Sequence, residues 1–167
     1  MRAPAFAVLL SLIATPALSD IRVTFTEGAP KDRFTIASTS DCDIGTTEIV
    51  LDLSGSAHGL IFDTTGAGQG VSVYQPFEVV SGAGLLTALP SVQDGDKVIR
   101  LSLAELPYGQ TIAFTIDVDD TAGISETMVS GAEITGASVS VQTPGNAQTA
   151  TFDASATASV PLNDCLS

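Results

Sequence analysis

The sequence predicts an all-β, single-domain antiparallel β-sandwich, Ig-like or jelly-roll-like, with about nine strands. Three observations carry that expectation. Apolar and polar residues alternate with a period of two through most of the chain, as strands with one buried face require. Clusters of Gly, Pro, Asn and Asp interrupt these runs at hairpin-length intervals. Beyond the first nineteen residues the helical period of 3.6 has little support.

Met1 to Ser19 reads as an address that is removed, not as part of the fold. Arg2 supplies a positive start, Phe6 to Ala14 an apolar run, and Ala17-Leu18-Ser19 the small residues of a cleavage site. A membrane span needs about 20 apolar residues, and this run is roughly half that. The expected domain is therefore 20–167, and removing 19 of 167 residues leaves 148, enough for one core. This places the protein outside the cytoplasm, in the periplasm or beyond, with no integral membrane segment after cleavage.

The strands follow in order. Ile21, Val23 and Phe25 share one face, opposite Arg22, Thr24 and Thr26. The pattern returns in Ile49, Leu51 and Leu53, in Val71 and Val73, and in Ile99, Leu101 and Leu103. Ile112, Phe114, Ile116 and Val118 alternate with Thr111, Ala113, Thr115, Asp117 and Asp119. The strict alternation from Ala147 to Val160 predicts one long strand. Turns are expected at Glu27-Gly28-Ala29-Pro30, Gly66 to Gly70, Asp94-Gly95-Asp96, Pro107-Tyr108-Gly109 and Pro144-Gly145-Asn146. The abundance of Ala, Ser, Thr and Gly predicts a thin core with few aromatics.

Cys42 and Cys165 are the two cysteines. In an oxidising compartment they most simply form one disulfide, closing a loop of 165 minus 42, or 123, residues. The spacing lacks a Cys-x-x-Cys metal pattern, and no cysteine sits at the cleavage site to take a lipid.

Charge excludes some partners. The full chain carries a net charge of −13, and loss of Arg2 leaves 5 Lys plus Arg against 19 Asp plus Glu, a net of −14. Phosphate backbones and anionic membranes are bound by Lys and Arg, so nucleic acid is not an expected partner. The same excess attracts cations.

The densest acidic group is Asp117, Asp119 and Asp120. Asp117 and Asp119, two apart on a strand, project from one face about 6 to 7 Å apart. A hard cation such as Ca²⁺, with six to eight oxygen ligands, would bridge them if a second loop contributed oxygens. The candidate second loops are Asp41-Cys42-Asp43 and Asp94-Gly95-Asp96. The simpler alternative is an acidic solvent-facing strand, since no Asp-x-Asp-x-Asp-Gly loop is present.

Other constellations are weaker. His58 is the only histidine, and the chain has no Gly-x-Ser-x-Gly elbow, so no catalytic residue is assigned. Gly66-Ala67-Gly68-Gln69-Gly70 lacks the Lys-Ser/Thr of a phosphate loop and reads as a flexible connection. Tyr74, Phe77 and Tyr108 would serve as a sugar platform only if they cluster.

Several strings carry a family resemblance: Glu27-Gly-Ala-Pro-Lys-Asp-Arg-Phe34, Leu51-Asp-Leu-Ser-Gly-Ser56, Gly59-Leu-Ile-Phe-Asp63, Gln75-Pro-Phe-Glu78, Phe114-Thr-Ile-Asp-Val-Asp-Asp-Thr121 and Ser130-Gly-Ala-Glu-Ile-Thr-Gly136. Together they resemble a group of small exported alphaproteobacterial proteins labelled "aggregation factor core protein". The label is similar to that of sponge aggregation factors, which mediate calcium-dependent cell adhesion. The resemblance implies export and favours an acidic calcium site; it assigns no residue a role.

The expected function is a non-enzymatic adhesion or binding module at the cell surface or in the periplasm, with Ca²⁺ as the cofactor it would use. Its expected partner is a cell-surface protein or polysaccharide. Two alternatives stand beside it: a carbohydrate-active protein using an acidic pair, and a structural component of an envelope or matrix assembly.

Overall fold

Among the described residues ten β-strands pack as two antiparallel sheets, so the expected sandwich is the fold, with one strand more than the sequence count. The computed structural model describes residues 21–29, 31–68, 70, 73–122 and 129–162. The strands are β1 (Ile21–Thr26), β2 (Asp32–Ser38), β3 (Thr47–Asp52), β4 (Ile61–Asp63), β5 (Glu78–Ser81), β6 (Val98–Leu103), β7 (Thr111–Asp119), β8 (Ser138–Thr143), β9 (Asn146–Thr151) and β10 (Thr157–Val160). One sheet runs β10-β1-β2-β7-β4, with β5 also paired to β7; the other runs β6-β3-β8-β9.

Alternation becomes burial as expected along β1 and β6, and β2, which was not singled out in the sequence, shows the same burial of every second residue. The core is fuller than the composition suggests. Phe25, Phe34 and Phe114 stand cross-strand from one another on β1, β2 and β7. The Phe34 ring lies 5.1 Å from Phe25, 5.2 Å from Phe114, and 6.4 Å from both Phe62 and Phe152, at separations where aromatic pairs attract. Placing most of the phenylalanines at one point lets Ala and Val fill the remainder.

Two expected strands differ. The Ala147–Val160 run is β9 and β10, which belong to different sheets. Asp153 makes the corner: its Oδ1 accepts the N–H groups of Ser155 (2.8 Å) and Thr157 (3.2 Å), and Ala156 takes a left-handed φ of 55°. A short side-chain acceptor competes with the ladder for these donors and turns the chain, without breaking the apolar alternation. Val73 lies outside any strand and is 43% exposed, while Val71 falls outside the described residues.

Among the described residues no helix is long and apolar enough to cross a membrane. The expected signal segment, Met1 to Ser19, lies outside the described residues, as does Cys165. Cys42 is half-buried, with its Sγ 3.3 Å from Ser40 Oγ.

Candidate metal centre

β7 is flanked by β2 on one side and by β4 and β5 on the other, and both of its faces are covered. Ile112, Phe114, Ile116 and Val118 face the core, as alternation requires. The opposite face was expected either to hold a cation or to meet solvent, and Asp117 and Asp119 are 2% and 1% exposed.

The cover comes from the segment between β4 and β5. The chain leaves β4 at Asp63 and returns beside β7 at Gln75, whose C=O accepts the Asp117 N–H at 3.0 Å. Between them Gly70 presses on the acids: a Cβ there would collide with the carboxylates of Asp63 and Asp119. Gly68 stands in the same relation to the Asp94 carboxylate. Gly68 and Gly70 thus let the backbone approach three acidic groups, Asp63, Asp94 and Asp119.

Asp63 is the cross-strand partner of Asp117 and is completely buried. Carboxylate oxygens of Asp63, Asp117 and Asp119 lie within 4.8 Å of one another. Like charges directly opposite on a sheet repel, and burial removes the water that would screen them. Asp63 is pushed up to about 7, first by burial and then by its contacts with Asp94 and Asp119. Asp117 is also raised to about 7, by burial, then by Asp119 and Asp32. Asp63 Oδ1 accepts the Thr65 N–H at 3.4 Å; its Oδ2 is buried and has no hydrogen-bond partner among the described residues.

The Asp94 turn joins the group along the open edge of β4. Phe62 N–H donates to the Asp96 carbonyl (2.8 Å) and Gly95 N–H donates to the Phe62 carbonyl (2.9 Å). Asp94 Oδ1 then accepts the N–H groups of Thr64 (3.0 Å) and Thr65 (3.2 Å). The Asp94-Gly95-Asp96 turn therefore docks on a strand instead of closing a hairpin.

Asp32 supports the site from the other side. It is the first residue of β2, and its Oδ2 accepts the Val118 N–H at 2.9 Å while Oδ1 accepts the Gly28 N–H at 2.8 Å. The carboxylate continues the β2–β7 ladder one step beyond the strand, between Asp117 and Asp119. Burial raises Asp32 to about 7 against the lowering effect of these two donors.

The chain matches no family model, no curated protein and no solved structure.

The cation was expected at Asp117, Asp119 and Asp120, with Asp41-Cys42-Asp43 or Asp94-Gly95-Asp96 as candidate second loops, and these residues do not all converge. Asp117, Asp119 and Asp94 come together, and Asp63 joins them. Asp120 instead groups with His58 and Glu133, the His58 Nδ1 lying 3.0 Å from Glu133 Oε1. Asp96 Oδ2 accepts the Gln93 N–H at 2.7 Å and shapes its own turn. Asp43 accepts the Tyr108 N–H at 2.7 Å, and Asp41 is exposed. Adjacent strand residues point to opposite sides, which is why Asp120 parts from Asp119.

Asp63, Asp32, Gly68 and Gly70 were missed. A signal for Asp63 existed: it ends the apolar run Leu60-Ile61-Phe62 and stands three residues before the glycine-rich stretch that begins at Gly66. That loop lies against carboxylates, which is the wrong environment for a phosphate.

Proposed function

We propose that this chain is an exported, non-enzymatic adhesion or binding module whose sandwich holds a divalent cation, Ca²⁺ by the chemistry of its donors, at Asp63, Asp117 and Asp119, with Asp94 beside them. The observation that carries this reading is the completely buried Asp63 Oδ2, which no donor outside the acidic group reaches among the described residues, inside a group of three buried carboxylates. Burial of one unpaired carboxylate is costly, and several buried together are compensated either by protons or by a positive charge. No Lys or Arg supplies that charge in any ion pair to these residues among the described ones. An all-oxygen donor set with hard carboxylates suits Ca²⁺ over softer metals, and backbone carbonyls of a close glycine loop are ligands of the same kind.

A bound cation would tie β4 and β7 to Gly70 and Gln75, fixing the surface beside them. Tyr74, at 46% exposure, stands on it. The partner we assign is a cell-surface protein or polysaccharide, in keeping with the resemblance to the aggregation factor core proteins.

Carboxyls raised to about 7 are also what a general acid needs. That use requires contact with substrate, and Asp63, Asp117 and Asp119 are at most 2% exposed. We therefore assign them to cation binding and not to glycoside chemistry.

Isothermal titration of Ca²⁺ into protein stripped of metal, with thermal melts in chelator and in millimolar Ca²⁺, tests the site. Heat of binding and a raised melting temperature are expected for wild type, with both reduced in Asp117→Asn. Absence of heat and of any shift at millimolar Ca²⁺ would overturn the metal reading.

A further inference from the structure

We infer that β9 is a self-association edge, through which two copies of this chain pair antiparallel and fuse their β6-β3-β8-β9 sheets across a two-fold axis.

Among the described residues β9 ends that sheet and pairs only with β8. Antiparallel hydrogen bonding alternates along a strand, and Thr143 and Asn146 close the two-residue Pro144-Gly145 turn. Asn146, Gln148 and Ala150 therefore face β8 with their backbone groups. Those of Ala147, Thr149 and Thr151 point away from the sheet, and no backbone bond to another segment takes them among the described residues.

The other edges are closed or blunted. β4 is capped by the Gly95 and Asp96 bonds to Phe62, and β6 by the bridge of Leu86 to Leu103 and the Thr87 N–H bond to Ser102. β5 is broken by a register shift between Val79 and Ser81 and carries Glu78, ion-paired to Lys31. β10 is only four residues long and runs into Pro161. These are the usual devices against edge-to-edge pairing: short strands, bulges, charge, proline and cover. β9, six residues of Asn-Ala-Gln-Thr-Ala-Thr, has none of them.

Charge selects the occupant. The chain carries a net −13, so two copies repel over most of their surfaces. From Ile134 to Phe152 no residue is charged, and this stretch contains both strands of the β8–β9 hairpin. The hairpin is where two such acidic bodies approach without placing like charges opposite each other. A strand meeting its own copy antiparallel is self-complementary, as a two-fold interface requires. With Thr149 on the axis, Ala147 of one copy faces Thr151 of the other, and the outward N–H and C=O groups pair.

Sedimentation velocity of the mature chain from micromolar to millimolar concentration tests this, with Thr149→Lys and Thr149→Pro alongside. Wild type is expected to move toward twice the monomer mass, more strongly as salt screens the acidic bodies, and equally in chelator and in Ca²⁺. Thr149→Lys places like charges on the axis and should weaken association about tenfold or more. Thr149→Pro removes a donor that β8 does not use, so it should remain folded by circular dichroism and monomeric; if it unfolds, the lysine variant decides. A wild type that stays monomeric, variants that associate as wild type does, or association that requires Ca²⁺ would each overturn the inference.

Discussion

Asp63→Asn should raise stability without cation and remove the response to cation. The carboxyl of Asp63 rises from 3.8 to about 7 on folding. At about 1.36 kcal/mol per unit, keeping it ionised at pH 8 costs the folded state about 4 kcal/mol. Asp94 and Asp119 share that cost, and relaxation around the site reduces it, so the amide recovers about 2 kcal/mol. Asparagine keeps the shape of the side chain and the acceptor for the Thr65 N–H. For a domain of this size about 2 kcal/mol corresponds to a melting temperature about 4–8 °C higher. In Ca²⁺ at a hundred times its dissociation constant, wild type gains about 2.7 kcal/mol by mass action and the variant gains little. The order of the two melting temperatures should therefore invert between chelator and Ca²⁺ at pH 8. Differential scanning calorimetry in both conditions reads this directly. A variant that melts below wild type in chelator, or that responds to Ca²⁺ as wild type does, would refute the reasoning.

The same carboxyls set a pH dependence. Asp32, Asp63 and Asp117 hold protons more tightly folded than unfolded, so in chelator their contribution is fully present below about pH 4 and is lost as pH rises through about 7. Urea midpoints in chelator should fall between about pH 5 and pH 8, and saturating Ca²⁺ should flatten or reverse that slope; a rise in chelator would contradict it. Gly70→Ala, whose methyl meets the Asp63 and Asp119 carboxylates, should weaken Ca²⁺ binding about tenfold or more in titration calorimetry, whereas Gly84→Ala, with nothing within 4 Å, should leave it unchanged. Asp32→Ala leaves the Val118 and Gly28 N–H groups without their acceptor and should cost about 2–4 kcal/mol, with faster hydrogen exchange at Val118. Cys42 and Cys165 should show no reactive thiol in exported protein under denaturing conditions, and reduction of a 123-residue loop should cost about 4–5 kcal/mol in urea unfolding; two titratable thiols would show the pairing wrong.

The core strands were legible because each is a local pattern. Ile112, Phe114, Ile116 and Val118 of β7 declare their face through period two alone. The corner at Asp153 was not legible, since Ala154, Ala156 and Ala158 keep the rhythm while the Asp153 carboxylate takes the donors that would have continued the ladder. Alternation records which residues share a side and is silent on where a strand bends. Asp63 escaped for a different reason: three residues, Ile61–Asp63, are too few to display a period, and their strand is held by pairing to β7 and by the Asp94 turn.

The outer face of β7 sets the deeper limit. An aspartate at every second position reads as solvent-facing because carboxylates are solvated by default. Whether Asp117 and Asp119 meet water depends on residues more than forty positions earlier, where Gly70 lies against Asp119 and the Gln75 carbonyl accepts the Asp117 N–H. The glycines and the aspartates are each weak signals alone, and each had a bland explanation: a flexible loop, a charged strand. Placed together they explain one another. A loop that only connects strands has no reason to avoid a Cβ at Gly68 and Gly70, and a strand that only faces solvent has no reason to bury two carboxylates. Binding a cation between them accounts for both choices and for the buried oxygen of Asp63, which no donor outside the acidic group reaches among the described residues. The carboxylate of the first β2 residue belongs to the same logic, because Asp32 spends its two oxygens on Gly28 and Val118 and so fixes the β7 backbone from which Asp117 and Asp119 project.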